Sequence, residues 1–254
     1  MPNNVQRKLD KLIASMVRSG EYNDCDVNGA KQLVHELQGR GVHCVDRFVQ
    51  RLLHSVGNKE DYFDILTEGR FALVLARNGF NEIHIEYCQQ GPDLKATYNR
   101  QTLYFDVRRR RPKQGESWEM QEARWAGEDS QDNIIGIIRK KRGQFCNARL
   151  NILVLWSDTI ELRPSTIKKV ASYIFEENVS EFRIFSGILF TEAEGYSLPS
   201  VAQYRFHRNP HASKPVGVRL TRKLGSLHTR PPKALKQEFE LRGFWLLARA
   251  QRRP

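Results

Sequence analysis

Residues 91–108 read GPDLKATYNRQTLYFDVR. Within them Leu103, Phe105 and Val107 alternate with Tyr104, Asp106 and Arg108, the period of a strand with one apolar face. Leu94 to Tyr98 is a second candidate strand, and Asn99-Arg100-Gln101 supplies turn chemistry between the two. A hairpin closed there brings Asp93, just after Gly91-Pro92, near Asp106. Pro-Asp alone is an ordinary turn dipeptide. Aspartate is depleted in strands, however. Asp106, with Arg108 on its face and the apolar residues on the other, is expected to look into a cleft or solvent.

Working outward, residues 59–78 predict a helix that Gly79 stops, and Ile83, Ile85 and Tyr87 alternate through a strand over 82–88. Downstream, 111–130 is polar and rich in breakers. A helix then starts at Asp132 or Asn133 and runs through Ile134, Ile135, Ile137 and Ile138 to Arg142. LNILVLW at 150–156 is almost wholly apolar, as a central strand covered on both faces must be. Pro164 opens a helix carrying Ile167, Val170, Ala171, Ile174 and Phe175, and 182–190 reads as another apolar strand. The order αβββαβαβ predicts an α/β sandwich with a mixed sheet flanked by helices. Three amphipathic helices precede it, over about 5–16, 28–38 and 42–56, and Pro231-Pro232 precede an amphipathic stretch at 233–250. The expected division is a helical unit at 1–57, a core at 58–195 and a basic region at 196–254.

The chain has 254 residues and a formal net charge of +12. Residues 205–254 hold 13 Lys+Arg against 2 Asp+Glu, so nearly the whole excess sits in the last fifth. Such asymmetry points to a polyanionic partner, of which nucleic acid is the commonest. No window approaches the ~18 apolar residues of a membrane helix, and no membrane partner is expected. The start of the chain lacks the apolar run of a signal peptide, so a cytoplasmic setting, or a nucleoid or nuclear one, is expected. Cys25, Cys44, Cys88 and Cys146 form no close pair and read as reduced thiols rather than as zinc ligands.

Asp93, Asp106 and a helix glutamate, Glu68, would repel one another at one sheet edge. A divalent cation removes that repulsion, and Mg²⁺ favours oxygen ligands and keeps several waters. A cation so held polarises a phosphodiester and positions water, while Arg108 beside the pair stabilises charge on the pentacovalent phosphate.

Gly91-Pro92-Asp93, twelve intervening residues and then Asp106-Val107-Arg108 resemble the PD-(D/E)xK signature of the restriction-endonuclease-like nucleases. Glu68, in the context Leu66-Thr67-Glu68-Gly69-Arg70-Phe71-Ala72, is similar to that family's first core helix. The resemblance covers about 58–191, just over half the chain. It implies a restriction-endonuclease-like core and metal-dependent hydrolysis of nucleic acid, DNA before RNA. Asp93 and Asp106 would be ligands to Mg²⁺ or Mn²⁺, and Glu68 an outer ligand. One position departs: the motif's lysine is Arg108 here. Arginine stays protonated and cannot take a proton from water. Lys95, which shares a strand face with Asp93, and Lys113 are candidates for the lost role. Alternatively Arg108 fills the metal's place as a fixed ion pair, and the domain binds nucleic acid or scaffolds without cutting.

Expected phosphate contacts are Arg109, Arg110, Arg111 and Lys113 after the strand, Arg139, Lys140, Lys141 and Arg142 at the end of a helix, and Arg222 and Lys223 in the basic region. The helix run also suits the negative end of the helix dipole. The N-terminal helices are the candidate surface for a second copy of the chain or a protein partner.

Overall fold

The computed structural model describes residues 4–86, 91–109, 129–156, 164–192 and 203–228. Four helices come first: α1 Asn4–Ser19, α2 Asp24–Gly39, α3 Val45–Ser55 and α4 Lys59–Arg77. Asn23 opens α2 four residues before the expected start, because its side chain accepts from the Asp26 amide while Asp26 accepts from the Asn23 amide. The α3 start moves the other way, to Val45, since His43 is drawn into a parallel bridge with His84.

The strands are β1 Asn81–Ile85, β2 Leu94–Tyr98, β3 Gln101–Arg109, β4 Leu150–Trp156, β5 Gly187–Glu192 and β6 Gln203–Arg208. They form one sheet in the order β1-β2-β3-β4-β5-β6. Pairing is antiparallel at β1/β2, β2/β3 and β5/β6, and parallel at β3/β4 and β4/β5. The fold is therefore α/β with a six-stranded mixed open sheet flanked by helices. Asn99 and Arg100 both take positive φ, so a two-residue loop closes the Tyr98↔Gln101 pair with the twist a hairpin needs.

The remaining α-helices are α5 Asp129–Lys141, α6 Pro164–Ser172, which runs on into a π-helical turn Tyr173–Glu177, the single turn α7 Val179–Phe182 and α8 Val218–Leu224. Side chains on β3–β5 sort by parity. Leu103, Phe105, Ile152, Val154 and Leu189 meet α1–α4 and α8 in one cluster. Leu153, Leu155, Ile188 and Phe190 meet α5 and α6 in another. The helices before residue 58 thus share one core with α4 and the sheet.

The apolar run at 182–190 divides. Phe182 ends a helical turn, Phe185 packs into the second cluster, and the strand begins at Gly187. β6 and α8 were not anticipated from sequence. β6 completes the sheet, the Tyr204 amide donates to the Leu227 carbonyl, and the Asn78 side chain donates to the His228 carbonyl at the end of α4. Residues 203–228 are therefore built into the core. Among the described residues no helix is long and apolar enough to cross a membrane.

α3 and α4 meet closely at Gly69, where an added Cβ would lie 2.3 Å from Cζ of Phe48, itself fully buried. Gly69→Ala should lower stability by about 1–3 kcal/mol in thermal melts, because overpacking outweighs the helix-propensity gain. A variant as stable as the wild type would show that the ring withdraws freely.

Candidate active site

Register carries the site. Leu94 pairs with Phe105, so one step further Asp93 stands opposite Asp106. The Asp93 Oδ2 accepts the Val107 amide at 2.8 Å, which fixes the carboxylate over β3. Asp106 points to the α5 side of the sheet, away from Phe105 and Val107. Its expected exposure is corrected: the residue is wholly buried, because the end of α5 closes over it.

The group that covers it is Lys141. Its Nζ donates to Asp106 Oδ2 at 3.0 Å and also to the Gln144 side chain. Lys141, expected to lie on the surface as a phosphate contact, is instead 6% exposed. Helical spacing explains this. Ile134, Ile138 and Lys141 stand at i, i+4 and i+7 on one stripe, so the lysine continues the apolar face. Arg108 lies on the other side of Asp106, with Nε 3.5 Å from Oδ1, and its side chain is 39% exposed. That contact is too long for a hydrogen bond, and Asp106 Oδ1 remains a buried oxygen without a donor.

Glu68 approaches from α4. Both of its oxygens are held by Arg51 of α3, at 2.9 and 3.2 Å, and Arg51 also pairs with Glu86. Sequence reading missed Arg51 and Glu86; Arg51 sits three residues after the buried Phe48, at the margin of the α3 apolar face. The carboxylates thus form a chain, Glu68 to Asp93 to Asp106, with Arg51 at one end and Lys141 at the other. Burial pushes Glu68 well above the ordinary glutamate range, and the charge of Asp93 pushes it further against the pull of Arg51. Burial also raises Asp93, opposed first by the Val107 amide. For Asp106, burial and then Asp93 raise the value to about 7 despite Lys141 and Arg108.

These groups cannot all be ionised together without further positive charge, and a hard divalent cation matches that need. Two carboxylates plus water are a usual donor set for Mg²⁺, and the orphaned Asp106 Oδ1 is the free donor atom. Asp93 and Asp106 fit such an ion, with Glu68 set back by its Arg51 pair. Among the described residues no group of three or more His, Cys, Asp or Glu side chains is arranged to hold a metal.

The other expected residues scatter. Lys95 lies cross-strand between His84 and Tyr104, one pleat repeat from Asp93. Arg109 continues the apolar face of β3 and is buried against α4, pairing with Glu60 at 2.8 Å and Asp64 at 3.4 Å. Arg139 and Arg142 both pair with Glu181, at 3.1 and 3.0 Å, and Lys140 is exposed. Arg222 is exposed, while the Lys223 ammonium lies 5.7 Å from the centre of the Tyr98 ring. Arg110, Arg111 and Lys113 lie outside the described residues. No family model, no curated protein and no solved structure is significantly similar to the chain.

Proposed function

We propose that the chain is a metal-dependent nuclease with a restriction-endonuclease-like core, hydrolysing phosphodiester bonds of nucleic acid, DNA before RNA. The observation that carries this reading is Lys141 Nζ on Asp106 Oδ2. The lysine missing at position 108 is replaced from a neighbouring helix, so the strand aspartate has its ammonium partner after all.

In this reading Asp93 and Asp106 would hold Mg²⁺ or Mn²⁺, which would supply Lewis-acid polarisation of the phosphate. Val107 orients Asp93 through its amide. Gln144 accepts from Lys141 and holds the ammonium against Asp106. Lys141 and Arg108 place positive charge where the pentacovalent phosphate gathers negative charge, in a site already shielded from water. Arg51 holds both oxygens of Glu68 in place behind Asp93.

A second reading is a non-catalytic nucleic-acid-binding or scaffolding protein on a degenerate nuclease fold. The two-point grip of Arg51 on Glu68 favours it, because that carboxylate already has a cation.

The test is a titration of Mg²⁺ and Mn²⁺ in cleavage assays on a mixed panel of single-stranded, duplex and branched DNA and RNA, with Asp106→Ala alongside. Metal-dependent cleavage by the wild type alone is the expected result. Binding without cleavage at any metal concentration moves the assignment to the second reading.

A further inference from the structure

One end of the sheet is closed by three connections: residues 146–149 lead into β4, 183–186 lead into β5, and 208–214 leave β6. Three buried polar side chains tie them together. The Asn151 side chain donates to the carbonyls of Cys146 and Ile184 at 2.7 and 2.9 Å, and the Asn209 side chain to those of Phe182 and Phe185 at 3.3 and 2.9 Å. The Ser186 hydroxyl donates to the Lys214 carbonyl at 2.7 Å and accepts the Asn151 amide at 3.0 Å. The Ser213 amide donates to the Arg183 carbonyl at 2.7 Å. Asn151, Ser186 and Asn209 are all buried. A buried network whose donors are engaged rigidifies what it joins, so the three connections form one surface.

That surface is basic. Arg149, Arg183, Arg208 and Lys214 lie in it, and the three connections contain no Asp or Glu. Arg183, Arg208 and Lys214 are exposed, while Arg149 is half-buried with its guanidinium 4.5 Å from the centre of the Tyr104 ring. Among the described residues none of the four is in an ion pair, and the Lys214 ammonium reaches the Ala148 carbonyl at 3.3 Å. Glu181, two residues before Arg183, is already held by Arg139 and Arg142. The connections expose no Phe, Tyr or Trp, since Phe185 is fully buried.

We propose that this end of the sheet holds the sugar-phosphate backbone of a nucleic-acid duplex, with phosphates on Arg183, Arg208 and Lys214. Cations on a rigid surface suit the fixed phosphate spacing of a duplex. A single strand is held by charge together with aromatic stacking, which this surface does not offer. Register gives the place. Tyr104 and Asp106 share one side of β3, so Arg149 against the Tyr104 ring puts the surface on the side of the carboxylates. One step beyond the Leu103↔Leu150 pair, Arg149 stands level with Thr102, four residues and about 13 Å along β3 from Asp106. At about 3.4 Å of duplex axis per phosphate, the contacts fall about four phosphates from the bond at Asp93 and Asp106. That spacing rests on the nuclease reading; binding rests on the surface alone.

The experiment measures binding, by fluorescence anisotropy in EDTA, of labelled duplex and single-stranded DNA to the full chain from about 0.05 to 0.2 M salt. Arg183→Gln, Lys214→Gln and the double variant are compared with Lys11→Gln, which removes an exposed cation from α1. Each single variant should lose about eightfold in duplex affinity at about 0.1 M salt, and its log–log salt slope should shrink by about 0.9. The slope of the double variant should shrink by about 1.8. Lys11→Gln should match the wild type, and single-stranded DNA should bind every protein alike. Unchanged duplex affinity in the double variant, or an equal loss in Lys11→Gln, overturns the surface. An equal loss on single strands overturns the choice of duplex. If the wild type binds duplex through this surface yet never cleaves, the nuclease reading fails and the surface stands. If it cleaves while the variants bind normally, the surface fails and the nuclease reading stands.

Discussion

Lys141→Met should reduce cleavage by about 10²–10³-fold, the usual cost of removing one preorganised donor to developing charge. Methionine keeps the unbranched stem and fills the same buried space, so the end of α5 stays packed. Two effects act together. Charge stabilisation at the phosphate is lost, and Asp106, already at about 7, loses the cation that most lowers it. Its carboxyl then holds a proton at neutral pH, and divalent-cation affinity measured by calorimetry should fall with the rate. That same protonation limits the stability loss, because Asp106 can become neutral instead of remaining a bare buried charge. Arg108→Lys in the Lys141→Met background returns a lysine to the strand position and should recover part of the rate. Wild-type cleavage by Lys141→Met would reduce the lysine to a packing and ion-pair element.

Asp106→Asn should abolish cleavage and also change how stability depends on pH. An unfolded aspartate titrates near 3.8, whereas burial and the charge of Asp93 raise Asp106 in the fold to about 7. The folded state therefore holds this proton more tightly. Its contribution is complete below pH ~4 and is lost as pH rises to ~7, so the metal-free wild type should lose stability across that window. Asp93 and Glu68, also raised, act in the same direction. The asparagine variant, equal in size, should show a flatter profile and gain on the wild type above pH 7. Added Mg²⁺ should stabilise the wild type at pH 8 and leave the variant unmoved. Denaturant melts at pH 4, 6 and 8 in EDTA check this; superimposable profiles for the two proteins would contradict the burial argument.

The hairpin that positions the site was legible because two strands, a turn and their side-chain parity all lie within 18 consecutive residues. β2 and β4 fall at their expected bounds, and β3 extends by two residues at each end of its apolar core. Lys141 was hidden by its neighbours. In the run RKKR at 139–142 charge dominates, although helical period places the third residue on the isoleucine stripe. Arg109 was hidden in the same way, since strand period carries it onto the face of Phe105 and Val107. β6 escaped notice because it is an edge strand, QYRFHR, whose Arg205, His207 and Arg208 look like a basic tail while Tyr204 packs inward. Arg51 and Glu86 meet Glu68 only through tertiary packing, which no local pattern encodes.

The late position of β6 in the chain has a consequence during synthesis. Polypeptides emerge from the N-terminal end. The helices α1–α7 and strands β1–β5 are therefore available before residues 203–208, and for that interval β5 offers an unpaired edge rich in Ile188, Leu189 and Phe190. Such an edge recruits other strands. A nascent chain stopped short of β6 would meet neighbouring copies or chaperones rather than fold alone. Shortened forms of the protein that retain the site but lack β6 should collect in the insoluble fraction of the producing cell.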